Sequence, residues 1–254
     1  MEAVGDPGSV KPRRRRAAAT RPILLALAAL VLATPAVAGT SAQRVAALHP
    51  IVQAAAHPTG TLVILYSGDG GWAAFDKGVA EHLNAGGASV VGVDALRYFL
   101  IGHSAQSDAD DLAALIDAYA GRLHARHVVL AGFSFGADAL TALVPRLPRA
   151  TRARLDGLVL IAPQDRGELQ FQPGDWIDRP AREAFPVAPL LASMRGLPMT
   201  CLAGAADRRN ACDRFDPATI RTVRLPGDHH FNKDTAAVAR AILAAGTRRG
   251  VGTS

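Results

Sequence analysis

Cysteine is almost absent from this 254-residue chain, which carries only Cys201 and Cys212. Aromatic side chains make up 5% of it and are nowhere interleaved with a basic patch, so the pattern of a nucleic-acid binder is missing. No G-K-[ST] follows any glycine-rich stretch, which excludes a P-loop. No further ligands at metal spacing lie near the two cysteines, and no cofactor is expected. Internal repeats are absent, and low complexity is confined to the N-terminus.

What the N-terminus does have is an order of features. Lys11 and Arg13 to Arg16 form a basic cluster, Ile23 to Ala33 is an unbroken apolar run, and Ala36-Val37-Ala38 supplies a small-x-small site. That order is a secretory signal peptide over residues 1–38. The run is short against the roughly 20 residues of a bilayer span; an uncleaved anchor is the alternative. Six positive charges in this leader stand against Glu2 and Asp6, so +4 of the formal net +6 belongs to it and about +2 to the mature chain. The basic balance is therefore mostly a targeting signal. From about Gly39 the chain has the length of one α/β domain. In an exported protein the two cysteines are expected to form a disulfide, with free thiols or a metal site as alternatives.

Apolar, β-branched-rich runs occur at Thr61–Tyr66, Ser89–Asp94, His127–Gly132, Leu155–Ile161 and Pro198–Ala203, with a weaker one at Thr222–Leu225. They are continuous rather than alternating, as in parallel strands buried on both faces. Helical segments at about Asp76–Asn84, Phe135–Leu147 and Thr235–Ala245 lie between or after them. Another begins at Ser107, a good N-cap, with Asp108, Asp110 and Asp111 in its first turn. Its Leu112, Leu115, Ile116 and Tyr119 follow helical spacing. This alternation predicts an open, mostly parallel sheet with helices on both faces. Pro163 to Gly196 breaks the rhythm, carrying Phe171, Trp176, Ile177 and Phe185 without periodicity, and is read as a small cap; a surface excursion is the alternative.

Gly132-Phe133-Ser134-Phe135-Gly136 fits the nucleophile elbow G-x-S-x-G, with a strand before it and a helix after it. A serine hydroxyl needs a base, and the base needs an orienting acid. In the α/β-hydrolase fold the acid and then the histidine follow the serine in sequence. Asp207, just past a strand, is the expected acid, with Asp213 as substitute. His230, three residues after Gly227, is the expected base, and His229 its neighbour. Phe135 N–H is the first expected oxyanion donor. Asp69 N–H, in the glycine-rich loop after the first strong strand, is the second.

"YSGDGGW" (66–72), "VDALRYF" (93–99), "LAGFSFGAD" (130–138) and "LPGDHHF" (225–231) together resemble the bacterial virulence protein VirJ/AcvB family of exported α/β-hydrolases. The chain departs from that pattern after Phe99, where Leu100-Ile101-Gly102-His103 replaces a tryptophan- and proline-bearing stretch. The resemblance implies a periplasmic serine hydrolase that cleaves the aminoacyl ester of lysyl-phosphatidylglycerol at the membrane surface. It also implies association of some members with secretion-system proteins. Trp72, Tyr98, Asp138 and His229 lie on these motifs as candidates to line the substrate site. Asp69, Asp138 and Asp228 are acids near the site that would attract a lysyl ammonium, although Asp138 also falls where it complements a helix dipole.

Overall fold

The apolar runs pair with one another in the computed structural model, which describes residues 1–2, 40–170 and 184–246. In chain order the elements are α1 (Ser41–Ala47), β1 (Ile51–Gln53), β2 (Thr61–Tyr66), α2 (Ala74–Ala85), β3 (Ala88–Val93), α3 (Ala95–Phe99), α4 (Ala105–Arg122), β4 (His127–Phe133), α5 (Phe135–Leu143), α6 (Arg149–Ala153), β5 (Leu155–Ile161), β6 (Arg166–Gly167), β7 (Phe185–Pro186), α7 (Val187–Ser193), β8 (Met199–Gly204), β9 (Arg221–Leu225) and α8 (Thr235–Gly246). Seven strands form one sheet in the order β1-β3-β2-β4-β5-β8-β9, while β6 and β7 make a separate antiparallel ribbon. All neighbours in the large sheet are parallel except β1, which runs antiparallel to β3.

Alternate side chains of the strands feed two cores. On β2, Leu62, Ile64 and Tyr66 face one side with Leu112, Leu115 and Ile116 of α4 and Leu140 and Leu143 of α5. Val63 and Leu65 face the other, with Val79 and Leu83 of α2 and Val238 and Ile242 of α8. Each fully buried aliphatic side chain contributes roughly 1.5–3 kcal/mol against exposure, and the double coverage explains why the strands read as continuous apolar runs. Parallel order sends every βα turn of the sheet to one edge, where a site can be assembled from several loops.

Local expectations needed three corrections. The cap of α4 is Ser104, not Ser107; the Ser107 N–H donates to the Ser104 hydroxyl at 3.1 Å. The α5 helix stops at Leu143 and tightens into a 3-10 turn over Val144–Arg146, because Pro145 has no N–H to continue it. Within the expected cap, α7 is part of the body: Val187 and Leu191 are buried in the core. The cap residues Phe171, Trp176 and Ile177 lie outside the described residues, as do the apolar run and cleavage site of the expected leader.

Asp108 and Asp111 of α4 are buried. The Tyr98 hydroxyl lies 2.9 Å from Asp108 Oδ1 and 2.9 Å from Asp111 Oδ2, while Arg44 holds Asp111 at 2.8 Å. One phenolic proton cannot be donated to two carboxylates at once. Burial pushes the Asp108 carboxyl up from 3.8 to about 6, against the opposing pull of Tyr98 and His103. Between those values the folded chain keeps a proton that the unfolded chain has lost, so this group makes stability fall as pH rises through the window. Asp108→Asn retains a donor for Tyr98 and should flatten the fall, leaving the variant at least as stable as wild type above pH 7. Urea unfolding across the window measures this, and identical pH dependence in the two proteins would contradict it.

Candidate active site

The Ser134 turn is built where β4 meets α5. Ser134 has φ 50° and ψ −117°, a conformation that L-residues rarely adopt, and its N–H donates to Ile161 O at 2.8 Å. The flanking glycines are steric requirements. A Cβ on Gly132 would lie 2.4 Å from Gly136 O, and one on Gly136 would lie 2.4 Å from Ser67 O. Only hydrogen fits at either position, so the strand and helix close to backbone contact around the serine.

Two further loops reach the same edge. After β8, Asp207 accepts the Arg209 N–H on Oδ1 at 2.9 Å. After β9, the chain turns at Gly227 with φ 108°. The loops are tied together by Ala205 N–H to Leu225 O and Ala206 N–H to Gly227 O, both 2.8 Å. Gly204 permits that approach, since a Cβ there would fall 2.0 Å from Asp228 O. Beneath Asp207, Cys201 and Cys212 form a disulfide with Cα atoms 5.7 Å apart. It closes the segment that carries the acid.

The histidine that bridges these loops is His229. Its Nδ1 is 2.8 Å from Asp207 Oδ2, and its Nε2 is 3.0 Å from Ser134 Oγ. The expected base His230 does not occupy this position, because Asp228 makes a turn on its own loop. Asp228 Oδ1 accepts the N–H groups of His230 and Asn232, closing a tight turn in which Phe231 is buried and His230 faces outward. His230 instead lies against Phe75 and Phe133, with ring centroids at 5.7 and 5.2 Å. Partial burial, and then His229, hold its pKa below the usual histidine value. The alternative acid Asp213 pairs with Arg224 at the surface and takes no part.

Other expected residues have different employment. Tyr98 is buried with its hydroxyl held by Asp108 and Asp111, so it does not line the crevice. Trp72 packs over Gly92 of β3, where an added Cβ would meet the ring at 2.4 Å. Asp138 is buried, accepts the Gln164 N–H at 2.9 Å, and is pushed well above the ordinary carboxylate range by that burial. A carboxyl so buried and already engaged by Gln164 is poorly placed to meet a cation. Asp228 is held low by the N–H groups of His230 and Asn232, which occupy the oxygen that faces the turn.

The glycine loop after β2 runs beside Ser134. A Cβ on Gly68 would be 3.6 Å from Ser134 Cβ, and Gly68 O is held by the Gly71 N–H at 3.1 Å. Among the described residues, no protein acceptor takes the Gly68 or Asp69 N–H. Phe135 N–H opens α5 directly after the serine. Sequence reasoning named Asp69 and passed over Gly68, whose closeness to Ser134 depends on how β2 and β4 align. Among the described residues there is no group of three His, Cys, Asp or Glu arranged to hold a metal.

The profile of the family described as "Bacterial virulence protein (VirJ)" matches residues 60–250, which carry all three loops. The chain belongs to the VirJ family. No curated protein matches it in sequence. Among solved structures, it is similar to a lipase-esterase related protein from Clostridium acetobutylicum, with TM-score 0.55 and 12% identity over 78% of this chain and 98% of that one. It is similar to Est1E from Butyrivibrio proteoclasticus, with TM-score 0.54 and 15% identity over 76% and 90%. A putative dienelactone hydrolase from Klebsiella pneumoniae gives TM-score 0.54 and 18% identity over 76% and 88%. These likenesses identify this VirJ chain's fold as that of the α/β-hydrolases.

The geometry separates the two histidines. His229→Ala should lower ester turnover by roughly 10²–10⁴-fold, the range for a positioned general base, while His230→Ala should change it less than tenfold. Steady-state rates of the purified variants measure this, and the reverse ranking would contradict it. Removing the disulfide as Cys201→Ala/Cys212→Ala should cost roughly 2–4 kcal/mol of stability. It should also reduce turnover at temperatures where circular dichroism still reports a folded chain. Unchanged turnover there would mean that the bridge does not hold Asp207.

Proposed function

We propose that this chain is a serine ester hydrolase of the periplasm that cleaves the aminoacyl ester of lysyl-phosphatidylglycerol. The observation that carries the hydrolase reading is His229, in hydrogen-bond contact with both Asp207 and a serine held in a strained turn. A binding surface has no use for that combination.

In the reaction, Ser134 Oγ attacks the ester carbonyl carbon and its proton passes to His229 Nε2. Asp207 stays ionised, accepts the Nδ1–H and stabilises the imidazolium that forms. The negative charge on the carbonyl oxygen is met by the Phe135 N–H and by a Gly68 or Asp69 N–H; one such donor is worth about 3–4 kcal/mol in the transition state. The intermediate collapses by breaking the bond to the glycerol oxygen. That oxygen takes the proton from His229, and phosphatidylglycerol leaves. A water then gives its proton to His229 and attacks the lysyl-serine ester. Ser134 leaves with that proton, and lysine is released as its carboxylic acid, which gives its proton to solvent.

The lysyl specificity is supported by the family and by what remains of the acids near the site. Asp138 is kept toward its neutral form and Asp228 is engaged in its turn, whereas Asp69 is exposed on the loop beside Ser134. We assign the substrate ammonium to the Asp69 carboxylate. Export is supported by the disulfide and by the order of features at the N-terminus. Association with secretion-system proteins belongs to the same proposal on family grounds alone, with no residue attached to it.

Ser134→Ala should abolish release of lysine from lysyl-phosphatidylglycerol while leaving the circular dichroism unchanged; an alanine variant that keeps most of the activity would overturn the mechanism. A charged hydrogen bond to the ammonium, at roughly 1.5–3 kcal/mol, predicts a kcat/KM preference for lysyl over alanyl lipid of roughly 10- to 150-fold. Asp69→Asn should erase that preference. Equal kcat/KM values for the two lipids in wild type would refute cation recognition. Cleavage of short acyl esters with neither lipid hydrolysed would make the chain a general esterase.

A further inference from the structure

Leu100 and Ile101 are 63% and 70% exposed, and among the described residues the other exposed large hydrophobics are Met1 and Val52. A soluble chain gains nothing by holding two adjacent aliphatic side chains in water. Their position is specific. They follow α3 at the end of β3, on the edge where the Ser134 loop lies. Phe99, immediately before them, is buried with its ring 5.3 Å from that of Phe135, the residue after the nucleophile. Behind the tip, an added Cβ on Gly102 would fall 1.7 Å from Gln170 Nε2, so the loop is braced against a neighbouring side chain.

The charges around the tip suit an anionic surface. From Ala95 to Gln106 there is no acid, and Arg97 is the exposed cation, while His103 Nδ1 lies 3.4 Å from Asp108 Oδ1. Asp94, just before, caps α3 through the Arg97 N–H at 3.1 Å. The apolar area is too small for a stable protein interface, which needs on the order of 1,000 Å². An apolar tip with an arginine beside it and no acid in its own stretch is instead the composition of an interfacial anchor.

We infer that Leu100 and Ile101 form such an anchor, inserting into a phospholipid leaflet and presenting the Ser134 crevice to the headgroups. This rests on the lipid-ester reading of the site and adds to it the element that reaches the substrate's membrane. Arg149, Arg152 and Arg195 line a separate pocket at the starting ends of β5 and β8, the opposite edge from Ser134. A membrane bound there would face away from the crevice.

Flotation of the periplasmic protein with phosphatidylglycerol/phosphatidylcholine vesicles tests the anchor. Leu100→Asp/Ile101→Asp should weaken vesicle partitioning by roughly tenfold or more, as expected when two inserted aliphatic groups become charges. Turnover of a soluble short-chain ester should stay unchanged, because neither side chain touches the reacting atoms. Neutralising the three arginines together should leave partitioning unchanged. Ile101→Trp should show a blue-shifted emission on adding vesicles. Equal partitioning of wild type and the double aspartate variant overturns the anchor, even if lysyl lipid is hydrolysed. So does an emission that does not move. Tip-dependent partitioning without hydrolysis of lysyl lipid supports the anchor while removing the substrate reading.

Discussion

A serine at φ 50° and ψ −117° costs on the order of 1–3 kcal/mol against a relaxed backbone, and Ser134 meets that cost on the edge of the sheet where three loops converge. The strain is tolerated because both neighbours of the turn are fixed. Strand β4 is paired on both sides, by β2 and β5, and α5 is buried along its length. Gly132 and Gly136 let these two elements close on each other without side chains between them. The hydroxyl is thereby aimed out of the backbone, where the His229 imidazole from another loop meets it.

The place of that imidazole depends on a second constraint, the joining of the β8 and β9 loops. Gly204 brings the two backbones into contact, two main-chain hydrogen bonds clamp them, and the disulfide closes the segment that bears Asp207. Burial of Phe231 pulls the following turn inward and leaves His230 outside. The imidazole of His229 is therefore located by packing and hydrogen bonds that lie outside the reacting groups. A small shift in either loop would open the 3.0 Å contact to Ser134.

Strand positions were legible because burial on both faces writes continuous apolar runs, and the six expected runs match β2, β3, β4, β5, β8 and β9 to within a residue or so. The three-residue strand β1 and the short helices α3 and α6 carry too little pattern to be read alone. The elbow was legible because its glycines answer a steric demand that leaves few alternatives. Which histidine faces inward was not, since it turns on the Asp228 side chain bonding to its own loop. The inward turn of Tyr98 and the neutral tendency of Asp138 were hidden for a related reason: both depend on partners distant in sequence or on burial.

The central claim is that Ser134 is an activated nucleophile, and covalent labelling tests it without any assumption about substrate. The native chain should react with a fluorophosphonate at one site, and peptide mass spectrometry should place the adduct on Ser134. Labelling should collapse when His229 is replaced by alanine and persist when His230 is replaced. A native, folded chain that does not react, or that carries its adduct on another residue, would contradict the account.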